Sequence, residues 1–462
     1  MHIRELFSRR DFLTRMSAGI GGIAAGSLLA SEGRFDVTPK APHFEPKAKR
    51  VIFLFQNGGP SQVDLFDPKP ELIKRNGQKP GEGYINTVDI KKTGNWLGSP
   101  FQFKQHGQSG IVLSEVLPGL ARHADRIAVV RSMVTTHSNH EQAIWNFNTG
   151  SIQPGRPSLG SWVTYGLGSE NQNLPAFVAI MNPKGLPVDG VRNFSNGWMA
   201  PVFNGFPVRA EGTPVINLKP RGSDGAAEGR LELIQKLNRA HLDARPGRLD
   251  LEARIQSYEL AARMQVTASD AMDLSKEPRA MHDLYQTEDA EAGVHGRQLL
   301  LARRLIERGV RFVQVLHNGQ PWDTHQANES GHRKIAKQTD GPAAGLLTDL
   351  EQRGLLKDTL VIWSGEFGRT PMTEGKDGRD HHKFSFSLWL AGAGVKPGVT
   401  HGATDDFGYH SVDKIVTVPD FHATVLHLLG LDSEKLTYRH GTRDEKLTDI
   451  HPSKIVREIL AS

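Results

Sequence analysis

The chain has 462 residues, 38% hydrophobic and 23% charged, enough for a sizeable core and too apolar for wholesale disorder. It has no cysteine, which excludes disulfides, thiolate metal sites, iron–sulfur clusters and a thiol nucleophile. The 56 basic and 51 acidic residues give a net +5 spread along the chain, no footprint for nucleic acid; the unusual number is 20 histidines.

Residues 1–30 read as a twin-arginine signal peptide. Ser8-Arg9-Arg10-Asp11-Phe12-Leu13 pairs two arginines with an apolar pair, and a soft Gly/Ala-rich run follows from Met16 to Gly26. That run is too short and too weakly apolar for a stable membrane span, and Leu28-Leu29-Ala30 suits a signal peptidase. The expected address is the periplasm or the cell exterior, with the twin-arginine translocase as a partner during export. That route carries folded proteins, which suits a protein loaded with metal before export. Residues 31–49 are polar and contain proline, and read as an exposed linker.

A domain over 50–460 is expected next. Its apolar runs are Val51–Phe55, Ile127–Val130, Phe177–Ile180, Phe312–Leu316, Thr359–Trp363 and Phe386–Leu390, each ending in a turn. Near-continuous apolarity, without alternation, predicts strands buried on both faces of a mostly parallel sheet. Helical spacing between them, as in 343–353 ahead of Gly354, predicts an α/β fold with helices flanking the central sheet. The stretch at about 182–290 breaks the pattern. It starts rich in Gly, Pro and Asn and continues charged and helical, and reads as an insertion with a loop over the site and a helical pair.

In an open parallel sheet, ligands bind beyond the carboxyl ends of the strands, and here those ends carry polar clusters. The first strand runs into Gln56-Asn57-Gly58-Gly59-Pro60-Ser61, then Asp64 and Asp67. The second leads to Thr135-Thr136-His137-Ser138-Asn139-His140-Glu141 and a helix. Later ends give His317, then Trp322-Asp323-Thr324-His325 with His332 beyond, then Gly365-Glu366-Phe367-Gly368-Arg369-Thr370-Pro371, and Asp380-His381-His382 before the last strand. Asp, Glu and neutral His are the ligands of zinc, manganese or iron in a protein without cysteine, and four such clusters on one edge predict a shared metal site. Gly58 is expected to permit a tight turn beside that site. Arg369 is either an oxyanion holder or an ion-pair partner fastening the Gly365 loop. Asp420 is expected to cap a helix that carries His422 and His427, with His427 in a packing role.

These runs, together with Trp389-Leu390-Ala391-Gly392-Ala393-Gly394 and Asp420-Phe421-His422-Ala423-Thr424, resemble the bacterial domain-of-unknown-function 1501 family over almost the whole exported chain. That family is in turn similar to the alkaline phosphatase and sulfatase superfamily. The resemblance implies an alkaline-phosphatase-like layered fold with metal at the carboxyl edge of the sheet. It also implies a nucleophile at a helix N-terminus, attacking phosphorus or sulfur. Carried over residue by residue, Asp323 with His325 (or His332) and one of His381 or His382 would hold a first ion. Glu366 and Asn57 fall where the second ion's aspartates belong, with Asp64 as a substitute from the loop, and Phe367 stands where a histidine should follow Glu366. Thr136 and Ser138 are the hydroxyls in the nucleophile's loop, but the spacing to Thr149-Gly150 points at His140. Without cysteine, and without a Pro-x-Arg after Ser138, a formylglycine sulfatase is not expected.

The expected protein is therefore a hydrolase of phosphate or sulfate esters that uses one or two divalent ions: zinc, with manganese, calcium or iron as alternatives. Ser138, Thr136, His140 or a hydroxide generated at the metal would attack, and Arg369 would hold the oxyanion. Its substrate would be an anionic ester or a sulfated or phosphorylated polymer, with no nucleic acid. Two other readings stand beside it: a non-catalytic, metal-containing protein that binds an envelope glycan, and a transferase of a phosphorus-containing headgroup.

Overall fold

In the computed structural model, residues 37–86, 88–212, 224–245, 251, 255 and 270–461 are described. The leader lies outside them. Eleven strands matter here: β1 (Arg50–Phe55), β2 (Ile127–Val134), β3 (Phe177–Met181), β4 (Phe206–Arg209), β5 (Phe312–Leu316), β6 (Thr359–Ser364), β7 (Gly368–Arg369), β8 (His381–His382), β9 (Phe386–Ala391), β10 (Val399–His401) and β11 (Val416–Thr417). Nine form one sheet in the order β10-β2-β9-β6-β1-β5-β3-β4, with β11 also paired to β2; β7 and β8 make a separate two-stranded ribbon. Within the large sheet β9 runs antiparallel to both its neighbours, and the other described pairings are parallel.

All six apolar runs become strands of this sheet. Their side chains alternate between two cores, as a strand's two-residue period requires. Val51, Phe53 and Phe55 enter one core; Ile52 and Leu54 enter the other. Helices cover each face: α2 (His140–Thr149), α3 (Leu159–Leu167) and α7 (Val418–Leu428) on the first, α5 (Gly293–Glu307) and α6 (Asn328–Gln352) on the second. Two further helices are the short α1 (Gln62–Leu65) and the longer α4 (Asp224–Asp243). Each large apolar side chain buried between these layers contributes about 1.5–3 kcal/mol. Because β9 is buried on both faces too, its run is as apolar as a parallel strand's, so periodicity did not give its direction.

Three expectations are corrected locally. Residues 37–49 are mostly exposed, but they are not a free linker: Lys40 N donates to Leu167 O, and Lys47 and Ala48 N donate to Leu428 O. The helix foreseen at 343–353 is the end of α6, whose first half was hidden by Gly331, Gly341 and Pro342. Thr417, not Asp420, is the N-cap of α7. Thr417 Oγ1 accepts from Asp420 N at 3.2 Å and Asp420 Oδ2 accepts from Thr417 N at 3.0 Å, a reciprocal capping box. The 182–290 stretch supplies edge strand β4 and helix α4, and its start crosses the strand ends, where Gly319 N donates to Leu186 O.

Candidate metal centre

Register brings the polar clusters together. Phe55 is level with Leu316 on one side and Ser364 on the other, so the segments leaving β1, β5 and β6 start side by side. Strand β9 runs the other way and begins beside Met133 of β2, which delivers the β8 ribbon and the start of α2 to the same edge. Gly58 makes the first turn close. Its φ is +112°, and a Cβ there would lie 2.7 Å from Asp323 N. After β5, Trp322 is locked inside by Nε1 donating to Gln56 Oε1 at 3.0 Å, and Thr324 Oγ1 donates to Asn328 Oδ1. The alternate side chains, Asp323 and His325, are left to face the edge.

Four side chains converge there. Asp323 Oδ1 lies 2.9 Å from His325 Nε2, 3.2 Å from His381 Nε2 and 3.4 Å from His140 Nε2, and the His325 and His381 Nε2 atoms are 2.9 Å apart. Each imidazole is held by its other nitrogen. His140 Nδ1 donates to Glu366 Oε1 at 2.6 Å, His381 Nδ1 to the Ser138 carbonyl at 2.8 Å, and His325 Nδ1 to Glu374. This is how metal-binding histidines are commonly fixed: an outer oxygen takes Nδ1–H and turns the Nε2 lone pair inward. Two donors on a tetrahedral zinc at about 2.0–2.1 Å are separated by roughly 3.3 Å, close to the spacings here. The Nε2 atoms of His325 and His381, 2.9 Å apart, need a proton or a cation between them, and the donor atoms of His140, Asp323 and His381 all lie within 4.8 Å of one another, a spacing that fits a metal ion.

The charges are strongly coupled. Burial alone would raise the Asp323 carboxyl, but hydrogen bonds from His140, His325 and His381 and the charge of Arg369 hold it far below the usual carboxylate range. The bond to Asp323, partly offset by burial and reinforced by Glu374, raises His325 to about 9. For His140, burial is outweighed by Asp323 and Glu366, and its pKa rises. For His381, burial wins with help from the Arg369 and His140 charges, and its pKa falls.

Other candidates sit elsewhere. Arg369 is fully buried and committed: Nε donates to Gly59 O at 3.0 Å, Nη1 to Arg379 O at 3.1 Å, and Nη2 to Gly58 O and to Asp323 Oδ1. It fastens the Gly58 turn to Asp323. His382 points away, its Nε2 donating to Tyr409 O at 2.6 Å, so of the His381-His382 pair one side chain joins the cluster. His332 holds the Asn328 carbonyl and accepts from Ser61 N, and Asp64 is paired with Arg379; neither reaches the cluster. Glu366 lies beside the donors, both oxygens accepting from Gly58 N at 3.0 and 3.2 Å. Asn57 is fully buried, and neither side-chain amide atom has a hydrogen-bond partner among the described residues. Ser138 reaches the cluster through its carbonyl, Thr136 is exposed, and His140 is the first residue of α2. The residue that sequence reasoning missed is Glu374. The Glu374-Gly375-Lys376-Asp377-Gly378 turn was a hairpin signal, and reading it would have folded Glu374 back towards His381.

Residues 48–460 match a family described as a protein of unknown function (DUF1501). No curated protein matches. Among solved structures, the lipoteichoic acid synthase LtaP from Listeria monocytogenes is similar at 9% identity and a TM-score of 0.37, over 86% of this chain and 76% of that one. The PsFucS1 sulfatase from Pseudoalteromonas sp. is similar at 11% identity and 0.35, over 84% and 68%. A protein in the alkaline phosphatase superfamily from Vibrio parahaemolyticus is similar at 12% identity and 0.35, over 91% and 76%.

Proposed function

This chain belongs to the DUF1501 family, and we propose that it is an exported, metal-dependent hydrolase of phosphate or sulfate esters. The observation that carries the proposal is the convergence of Asp323 Oδ1 with the Nε2 atoms of His140, His325 and His381 at the carboxyl edge of the sheet. Asp323 and the three imidazoles would hold the ion, and such an ion supplies Lewis acidity at an ester oxygen and a lowered pKa for water. Imidazoles with one carboxylate favour zinc, manganese or iron over calcium, which takes oxygen donors.

The chain's own groups favour an anionic ester. His140 opens α2, so the positive end of that helix adjoins the cluster. Arg369 adds a buried positive charge and keeps Asp323 ionised. The twin-arginine pattern of residues 8–13 supports export through that translocase to the periplasm or beyond, where the substrate would be a sulfated or phosphorylated polymer or smaller ester and not a nucleic acid. Among the described residues no helix is long and apolar enough to cross a membrane.

The test is turnover of an aryl phosphate and an aryl sulfate by the zinc- or manganese-loaded protein, beside Asp323→Ala. The expected result is hydrolysis by the wild type and a loss of at least about 100-fold in the variant, more than removal of an outer-shell partner costs. The commitment of all three Arg369 nitrogens favours one second reading, a non-catalytic protein that binds an envelope glycan. Full metal loading without turnover of either ester, together with binding to a sulfated glycan, would select it.

A further inference from the structure

The residue at the start of α2 and the carboxylate behind it have a more specific role than either sequence pattern or resemblance gave them. Glu366 was expected among the ligands. It is fully buried, both its oxygens accept from Gly58 N, and Oε1 also accepts from His140 Nδ1. Its lone pairs are thus directed at the Gly58 turn and at an imidazole. His140 was expected as a nucleophile candidate. With Nδ1–H committed to Glu366, its Nε2 is buried and faces, at 3.4 Å, the Asp323 oxygen that His325 and His381 also face. The side of the cluster next to Glu366 is closed by hydrocarbon: the fully buried Phe367 ring lies 4.8 Å from the rings of both His140 and His381.

We infer that the centre takes a single ion, held by the Nε2 atoms of His140, His325 and His381 and by Asp323, with Glu366 as the positioning residue that aims His140. The inference rests on the metal-dependent reading above and deepens it. His140 donates its lone pair to the ion and so is not the attacking group. Glu366 acts through His140, as Glu374 does through His325. The Phe367 ring packs against the rings of His140 and His381.

The experiment is zinc titration of the full exported chain after chelation, followed by zinc X-ray absorption, on the wild type, His140→Gln and Glu366→Gln. Chain folding is checked by circular dichroism, and aryl ester turnover is measured on the same samples. The wild type should bind one equivalent with three imidazoles. His140→Gln should show two. Glu366→Gln keeps an acceptor for Nδ1–H but loses the charge, and should still bind one equivalent, with affinity about 10- to 100-fold lower. Two equivalents in the wild type, fewer than three imidazoles there, or three imidazoles remaining in His140→Gln would each overturn the inference. The wild-type spectrum decides the case even if a variant misfolds. One equivalent with three imidazoles and no turnover would leave the inference standing and remove the hydrolase reading; turnover with two equivalents would do the reverse.

Discussion

At the residue scale, two carboxylates only a few residues of loop away from the same edge, Asp64 buried and Asp323 half-buried, have opposite jobs. Asp323 is shared by three imidazoles and one guanidinium. Asp64 is wholly spent on structure: Arg379 donates to its two oxygens at 2.7 and 3.1 Å, Ser61 Oγ at 2.6 Å and Asn328 Nδ2 at 2.9 Å. Burial would raise the Asp64 carboxyl, yet Arg379 and these bonds hold it well below the ordinary range. Removing its charge strands a fully buried guanidinium. Asp64→Asn is therefore expected to cost about 3–5 kcal/mol of folding free energy, read from urea unfolding of the metal-free protein. In sequence both aspartates look alike, since each follows a strand; only the groups around them separate the carboxylate shared by imidazoles from the one spent as a brace.

At the scale of elements, the two-residue ribbon of β7 and β8 does the sorting. His381 pairs with Arg369 and His382 with Gly368. Neighbouring residues on a strand face opposite sides, so one histidine enters the cluster and the other must go to Tyr409. Helix α7 shows how an end is set. Its capping box satisfies two backbone donors that would otherwise be unpaired, and it anchors a helix whose Phe421, Val425 and Leu426 fill the core above β1 and β2. Thr417→Ala is expected to destabilise the protein by about 1 kcal/mol in thermal or urea unfolding, with no effect on zinc stoichiometry.

At the scale of the whole molecule, burying histidine in the neutral form ties stability to pH. Desolvation lowers His295, which Gln298 only partly offsets, and His422, whose Nε2–H donates to Phe147 O at 2.7 Å; both fall from 6.5 to about 4. A depressed histidine adds stability that is complete above the unfolded value and is lost as pH falls through 6.5 towards 4, because the unfolded chain takes the proton first. Each group contributes up to about 3 kcal/mol of that slope. The urea midpoint should drop over this window, and His422→Gln, whose amide can still donate to Phe147 O, should flatten part of it. An unchanged slope would mean His422 is not held neutral.

The sequence by itself determined the architecture and the membership of the edge. Six apolar runs became six strands of one sheet, because a segment buried on both faces must be apolar throughout wherever it pairs. Polar clusters at their ends marked the site, because chain that leaves a buried sheet is where polar side chains can gather. Asp323, His325, Glu366 and His381 were legible as chemistry in that way. What only the tertiary structure decided was the placement of each: that His140 faces Asp323 while Glu366 stands behind it, that His382 and Arg369 are bound up in the scaffold, and that Glu374 adjoins His325 at all. Those placements depend on which nitrogen or oxygen is already taken by a partner tens to hundreds of residues away. Such pairings are set by strand register and loop return, and composition and spacing along the chain carry no record of them.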